Sequence, residues 1–291
     1  MYDDLKNEIK RKFNLLKKQP SLSRPPLGND NEEVSNPSIV NDVIMGIRFY
    51  SQIPIKHFDH QRPQLKSMTR VLVLVSIIIA LAPALVLFAA VWLGLPLLLA
   101  ALFGVATQIA IVGAMAEDGL ADSFDGLFGG SSKEQRLEIM IDSTHGTFGV
   151  VAIVLLIGSK IIALGSLTST SAIAAVLLWI SAQIIARQSA LWLVVKLPSA
   201  KNEGTAAQAG ELSGKIFWLG MAPSALVAII FSVFLVGVSG IIITAAIVVL
   251  IIVLWTTICK NLVGGYSGDL IGGLQAMLEI GILSGFLLFI V

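Results

Sequence analysis

The sequence has 291 residues, of which 55% are hydrophobic and 13% are charged. A soluble domain carries about 25% charged residues, so this composition excludes a water-soluble globular protein and indicates a lipid bilayer as the solvent. The formal net charge of +1 provides no long-range attraction for nucleic acid, and we expect no such partner. The one cysteine, Cys259, excludes an internal disulfide and a metal site built from four cysteines.

Residues 1–40 are predicted to be a polar, basic extension and linker that precedes a membrane-embedded domain at 41–291. Residues 1–70 hold 12 of the 20 Lys and Arg residues. Apolar residues recur at helical spacing near the N-terminus, at Leu5, Ile9, Phe13 and Leu16. This pattern predicts a basic amphipathic helix on an anionic membrane surface, and a solvated tail is an equally good interpretation. Prolines within 19–38 indicate a linker.

The apolar stretches predict an all-α, polytopic membrane bundle of about seven transmembrane helices with interfacial helices beside them. Residues 71–116 contain no charge and are long enough for two helices of about 20 residues each. Helices are expected because lipid offers no hydrogen-bond partners to backbone groups. The shorter segment 41–55 contains Asp42 and Arg48 and is predicted to be interfacial. Five more apolar stretches follow, at 147–165, 171–195, 216–237, 239–258 and 270–291.

The charges also predict an orientation. The positive-inside rule places the basic residues before Val71 in the cytoplasm, and counting spans places the loops 117–146, 196–215 and 259–269 on the same side. We therefore expect a protein of the cytoplasmic (inner) membrane whose active-site loops face the cytoplasm. Lys160 is expected to extend towards the outer lipid surface. Polar groups gathered at one face favour an enzyme over a transporter, which spreads them through the midplane.

An acidic segment follows the second predicted span. On a helix Asp118, Asp122 and Asp125 fall within an arc of about 60°, so their carboxylates converge. Such a cluster is self-repulsive without a cation, and hard oxygen ligands suit Mg²⁺ or Mn²⁺ better than Zn²⁺. Gly119 and Gly126 lie beside this face, where missing side chains are expected to admit a phosphate ester. The alternative is a solvated acidic helix cap.

Asp142 and His145, which follow the acidic segment, are candidates for its chemistry. Asp142 is expected to reach back to the same cation. His145 carries an imidazole, a side chain suited to moving a proton, but a plain interfacial histidine is the favoured interpretation.

Several motifs follow one another along the predicted membrane domain. They are Ile47 to Pro54, Asp118-Gly-Leu-Ala-Asp122-Ser-Phe-Asp125-Gly-Leu, Arg136-Leu-Glu-Ile-Met140, Asp142-Ser143, Gly146-Thr-Phe-Gly149 and the glycine-rich run Gly264 to Gly272. In order and spacing they resemble the motifs of cobalamin synthase, the membrane-bound adenosylcobinamide-GDP ribazoletransferase family. The resemblance covers about residues 45–291 and leaves the N-terminal extension outside. The sequence departs from the family at Ile141 and near Thr144, where the family usually has basic residues.

The resemblance implies an activity. Members join adenosylcobinamide-GDP to α-ribazole or its 5′-phosphate and release GMP, with Mg²⁺ required. The protein's work in such a displacement is to neutralise charge and to align the attacking hydroxyl. Either Asp125 or Asp142 is expected to accept the hydroxyl proton, and the sequence does not separate base from metal ligand. The sequence also leaves open whether the chain forms a homo-oligomer.

Polar residues in later spans complete the predicted site. Asp269, in the glycine-rich run, is expected near the substrate's phosphates, and Glu279 is expected to be protonated or hydrogen-bonded to a neighbouring helix. Arg187 lies within a span and needs an acid or a substrate phosphate as its partner, and Lys201 is a second candidate cation for the phosphates.

Two other functions fit parts of the pattern. A transferase that uses a CDP-alcohol also places aspartates at a span edge, although with a longer gap before its last aspartates. A cation-coupled transporter would line a path with the same acids, but the sequence shows no convincing repeat.

Overall fold

The computed structural model describes residues 38–55, 64–142, 144–200 and 212–290. The predicted N-terminal helix and linker lie outside these residues. The described residues form ten helices, which are in chain order α1 (Ile39–Tyr50), α2 (Leu65–Trp92), α3 (Leu97–Val112), α4 (Met115–Gly129), α5 (Lys133–Ile139), α6 (Thr147–Thr170), α7 (Ala172–Ala190), α8 (Trp192–Lys196), α9 (Gly214–Leu262) and α10 (Gly268–Leu287).

The described part of the chain contains no strand beyond one isolated bridge between Ser199 and Tyr266. Large hydrophobic side chains are exposed around the bundle, with Phe234 92% exposed and Trp92 78% exposed. An apolar exterior is stable in lipid and unstable in water. The predicted all-α membrane bundle is therefore confirmed.

Among the described residues, five helices are long and apolar enough to cross a membrane, or six if α3 and α4 together form one bent span. The expected spans at 216–237 and 239–258 are the two halves of the long helix α9. The predicted number of seven transmembrane helices therefore stays a prediction. A straight helix of 49 residues would extend about 74 Å, more than twice the hydrocarbon thickness. Gly237 interrupts α9 with φ 68° and ψ 176°, a conformation that favours glycine.

Most of the segment 41–55 lies in the short helix α1, which ends at Tyr50 and packs one face on α2. Gly46 allows this approach, because a Cβ atom there would lie 2.6 Å from Val75 Cγ2. With 12 residues α1 is about 18 Å long and too short to span a bilayer. Its predicted interfacial position fits this length.

Candidate active site

The acidic segment is helix α4, which turns away from α3 by 85°. Gly113 and Ala114 make the turn with φ values of 65° and 56°. A side chain at position 113 would also collide with Gln52, whose backbone N–H donates to the carbonyl of Ile111 at 2.7 Å. The bend therefore directs the acids of α4 away from the axis of the preceding span.

Asp118 and Asp122 lie one turn apart on α4 and face His145. His145 Nδ1 is 3.6 Å from Asp122 Oδ1, and His145 Nε2 is 3.9 Å from Asp118 Oδ1. One ligand atom from each of the three residues lies within 4.8 Å of the others. The Asp118 side chain is 62% exposed, so a ligand can reach the cluster from solvent. Two of the three aspartates that were predicted to converge, Asp118 and Asp122, belong to this group, and the structure adds the histidine.

Asp122 is the least exposed member of this group. Burial raises the pKa of its carboxyl to about 6, and the neighbouring carboxylates of Asp118 and Asp269 act in the same direction. A bound cation would remove this repulsion.

Asp125 faces another element, the N-terminus of α6. Its Oδ2 accepts a hydrogen bond from Gly146 N at 2.7 Å, and its Oδ1 accepts one from Gly149 N at 2.9 Å. Both partners are free N–H groups of the first turn, where a carboxylate is also favoured by the helix dipole. Asp125 therefore anchors α6, and its predicted roles as metal ligand and proton acceptor stay predictions.

Asp142 makes a local turn with Thr144. Its Oδ1 accepts from Thr144 N at 2.9 Å and from Thr144 Oγ1 at 2.8 Å. These hydrogen bonds lower the pKa of the Asp142 carboxyl. Within the described residues, the group able to hold a metal contains Asp118, Asp122 and His145 and does not include Asp142.

The two glycines of the acidic motif are covered by protein. A Cβ atom on Gly119 would lie 2.8 Å from the carbonyl oxygen of Asp269, on α10. One on Gly126 would lie 2.7 Å from the carbonyl oxygen of Arg136, on α5. The space beside Gly119 and Gly126 that was predicted to admit a phosphate ester is thus occupied by neighbouring helices, and the glycines permit close packing around α4.

Asp269 stands at the N-terminus of α10, close to the aspartate pair. Ser267 Oγ lies 3.3 Å from Asp269 Oδ2 and donates to it. The preceding turn is tied to the segment after α8, because Tyr266 N donates to Pro198 O at 2.9 Å and Ala200 N donates to Tyr266 O at 2.8 Å. The described residues 198–200 and 266 of the two predicted loops, 196–215 and 259–269, therefore meet beside α4.

A second cluster of polar side chains lies inside the bundle, around Lys160. Its Nζ is 3.2 Å from Glu279 Oε2, 3.4 Å from Glu117 Oε1 and 3.0 Å from Gln108 Oε1. Glu279 Oε1 also accepts from Trp179 Nε1 at 2.8 Å and from Gln108 Nε2 at 3.0 Å. All five side chains are buried. This cluster, the Lys160 network, joins α3, α4, α6, α7 and α10.

The Lys160 network corrects one expectation and confirms another. Lys160 does not extend to the lipid surface, because α6 continues to Thr170 and two carboxylates hold the ammonium group inside. Of the two alternatives predicted for Glu279, hydrogen bonding to a neighbouring helix is confirmed, because Glu279 accepts from Gln108 and Trp179.

Arg187 is buried at 2% exposure on α7, with its guanidinium carbon 5.5 Å from the centre of the Tyr50 ring. Its Nε and Nη1 have no hydrogen-bond partner among the described residues. The acid partner expected from the sequence is not seen in that part of the chain, and the role in phosphate binding stays a prediction. Lys201, the other predicted cation, lies outside the described residues.

Three residues of these clusters are hard to assign from the sequence. His145 is far from the aspartates along the chain, so the sequence favours an interfacial histidine and does not predict the contact. Glu117 is not distinguished from the other acids of its loop. Gln108 does carry a signal, since an amide within an apolar span needs a buried partner.

Comparison with known proteins tests the resemblance. The sequence matches the family described as cobalamin-5-phosphate synthase over residues 42–287. The adenosylcobinamide-GDP ribazoletransferase of Azorhizobium caulinodans is 35% identical over 255 residues, which cover 86% of this chain and 97% of that protein. Enzymes with the same name from Sinorhizobium medicae and Rhizobium meliloti are 33% and 32% identical, each over 86% of this chain and 97% of their own length. No solved structure shows a significant match. The family expected from the motifs is confirmed, and this chain belongs to the cobalamin-5-phosphate synthase family.

Proposed function

We propose that this protein is a membrane-bound adenosylcobinamide-GDP ribazoletransferase. A ribose hydroxyl of α-ribazole, or of α-ribazole 5′-phosphate, attacks the corrinoid-linked phosphorus, the diphosphate bond breaks and GMP leaves. Family membership supports the overall reaction. The structural observation that carries the assignment of the site is the meeting of Asp118, Asp122 and His145 at the exposed part of α4.

The aspartate pair is proposed to hold a divalent cation, Mg²⁺. The donor set fits, because carboxylate oxygens are the protein ligands that Mg²⁺ prefers and the pair keeps an exposed side for substrate oxygens. When bound, the ion supplies positive charge to the diphosphate and to the departing GMP. Asp125 is the weaker candidate for a metal ligand, since both of its oxygens already accept backbone hydrogen bonds.

The proton of the attacking hydroxyl needs an acceptor. Of the two predicted bases, Asp142 is better suited than Asp125, because it is exposed and one of its oxygens has no hydrogen bond among the described residues. A low carboxylate pKa keeps Asp142 ionised at neutral pH, although it also makes the group a weak base. Asp125 contributes by fixing the start of α6.

The substrate's phosphates are proposed to lie between α4 and the two loops that meet beside it. Asp269 is at this junction, and Lys201 directly follows Ala200, whose N–H is bonded to Tyr266. Lys201 itself lies outside the described residues, and it is proposed as a cation for the phosphates from its place in the sequence. Arg187 is proposed as a deeper cation for the same substrate, because its Nε and Nη1 have no hydrogen-bond partner among the described residues.

We also propose that the bundle lies in the bacterial inner membrane and that the side with Asp118 and Asp122 faces the cytoplasm. Seven of the eleven acids that follow residue 70 lie in 117–146, whereas the segments predicted for the opposite side, near 94, 166–170 and 238–240, carry no charge. Water-soluble substrates made in the cytoplasm then reach the site directly.

The experiment is a GMP-release assay with purified, folded protein in detergent. With Mg²⁺ and adenosylcobinamide-GDP, we expect GMP only when α-ribazole or its 5′-phosphate is added. Inactive protein that remains folded and binds Mg²⁺ would contradict the assigned reaction.

The matched variant is Asp122→Asn, which keeps the size of the side chain and removes its charge. We expect turnover to fall at least a hundredfold with the thermal unfolding temperature unchanged or higher, since a repulsive charge is lost. Full activity in this variant would contradict the metal site.

A further inference from the structure

We propose that His145 is the third protein ligand of the divalent cation at the Asp118–Asp122 pair. The cation site is then a mixed nitrogen and oxygen site that holds Mn²⁺ and Co²⁺ more tightly than an all-oxygen site would. This inference rests on the cation site of the proposed function and adds a residue to it.

The geometry points to coordination by the imidazole ring. Both ring nitrogens lie near the pair, Nδ1 at 3.6 Å from Asp122 Oδ1 and Nε2 at 3.9 Å from Asp118 Oδ1. These separations are longer than hydrogen bonds. The three ligand atoms instead surround a common point, since all lie within 4.8 Å of one another. An ion between them would need only small side-chain movements.

The backbone around His145 is held in place from both sides. Gly146, the next residue, donates to Asp125, and so does Gly149 one turn later. Thr144, the preceding residue, is bonded to Asp142. Neither Gly146 nor Gly149 could carry a side chain without colliding with the Asp125 carboxylate. Asp125 therefore holds the backbone that carries the His145 imidazole. The imidazole faces Asp118 and Asp122, which lie on the same helix as Asp125, and a set of metal ligands requires such positioning.

A nitrogen ligand has a chemical consequence. Mg²⁺ prefers oxygen, whereas imidazole favours the first-row transition metals, in the order Mn²⁺ < Fe²⁺ < Co²⁺. Loss of His145 is therefore expected to weaken Co²⁺ and Mn²⁺ binding more than Mg²⁺ binding. The competing interpretation is an ion pair, in which a protonated His145 neutralises the two aspartates and leaves when a cation binds.

Pulsed electron paramagnetic resonance of bound Mn²⁺ separates these interpretations, because a coordinated imidazole nitrogen modulates the electron spin echo. The chain has three histidines, His57, His60 and His145. We would use protein without a polyhistidine tag and take His57→Ala/His60→Ala as the control. Nitrogen modulation is expected in the wild type and in the control, and is expected to disappear in His145→Ala.

Binding constants for the three cations provide the second measurement. We expect His145→Ala to weaken Mn²⁺ binding by about tenfold or more and Mg²⁺ binding by less. His145→Gln keeps a polar side chain and guards against a folding defect. Mn²⁺ that binds the wild type without nitrogen modulation overturns the inference and leaves the aspartate site intact. Equal Mn²⁺ binding by wild type and Asp122→Asn, or no binding by the wild type, overturns the cation site itself.

Discussion

Lys160 is the centre of the buried polar network, and Lys160→Met tests how much the network stabilises the bundle. The change keeps the aliphatic stem and removes the ammonium group. Glu117 and Glu279, which lie 3.4 Å and 3.2 Å from that group, are then left as buried carboxylates without a cation. Removing one partner of a buried ion pair costs about 3–5 kcal/mol. The lower figure corresponds to a change of more than a hundredfold in the unfolding equilibrium.

The assay is equilibrium unfolding in mixed micelles, followed by the signal of buried tryptophans such as Trp179. Lys260→Met is the matched control, because Lys260 is exposed near the end of α9 and its removal should change the free energy of unfolding by less than about 0.5 kcal/mol. Adding Glu279→Gln to Lys160→Met removes one of the uncompensated charges and should recover part of the loss. A Lys160→Met protein within about 1 kcal/mol of the wild type would refute the reasoning, since the carboxylates would then not depend on this cation.

Two further predictions concern the aspartates of α4. Gly149→Ala places a methyl group against the Asp125 carboxylate and should destabilise the protein by about 1–3 kcal/mol in thermal unfolding, whereas Gly158→Ala, with open space around it, should be neutral or stabilising. Equal effects of the two changes would contradict the packing at α6. Because the pKa of Asp122 is raised to about 6, its contribution to stability in the metal-free protein is present below pH 3.8 and lost as the pH rises through 6. Cation affinity should change in the opposite direction and fall below pH 6, where Asp122 becomes protonated. A measurement of cation affinity against pH that shows no such fall, or shows the same fall in Asp122→Asn, would contradict the assignment of this pKa to Asp122.

The sequence by itself determined the class of protein and the position of its chemistry. A charge content of 13% leaves too little polar surface for water, and apolar stretches of span length form helices in lipid regardless of their neighbours. The convergence of Asp118 and Asp122 was also predictable, because residues four apart on one helix share a face. These properties depend on local sequence and on the solvent, so no tertiary information was needed for them.

Only the tertiary structure decided which residues meet across helices. The position of Asp125 on the same helical arc as Asp118 and Asp122 does not predict its contact with α6. In the structure, N–H groups at the N-terminus of α6 donate to both carboxylate oxygens of Asp125. Lys160 and Glu279 are 119 residues apart, and their pairing depends on how α6 and α10 pack. Hydrophobic periodicity predicts on which face of its own helix a polar side chain lies, but it does not predict the residue that this side chain contacts. That residue depends on how the helices pack, because a buried charge must be compensated by a charge or hydrogen-bonding group of a neighbouring helix.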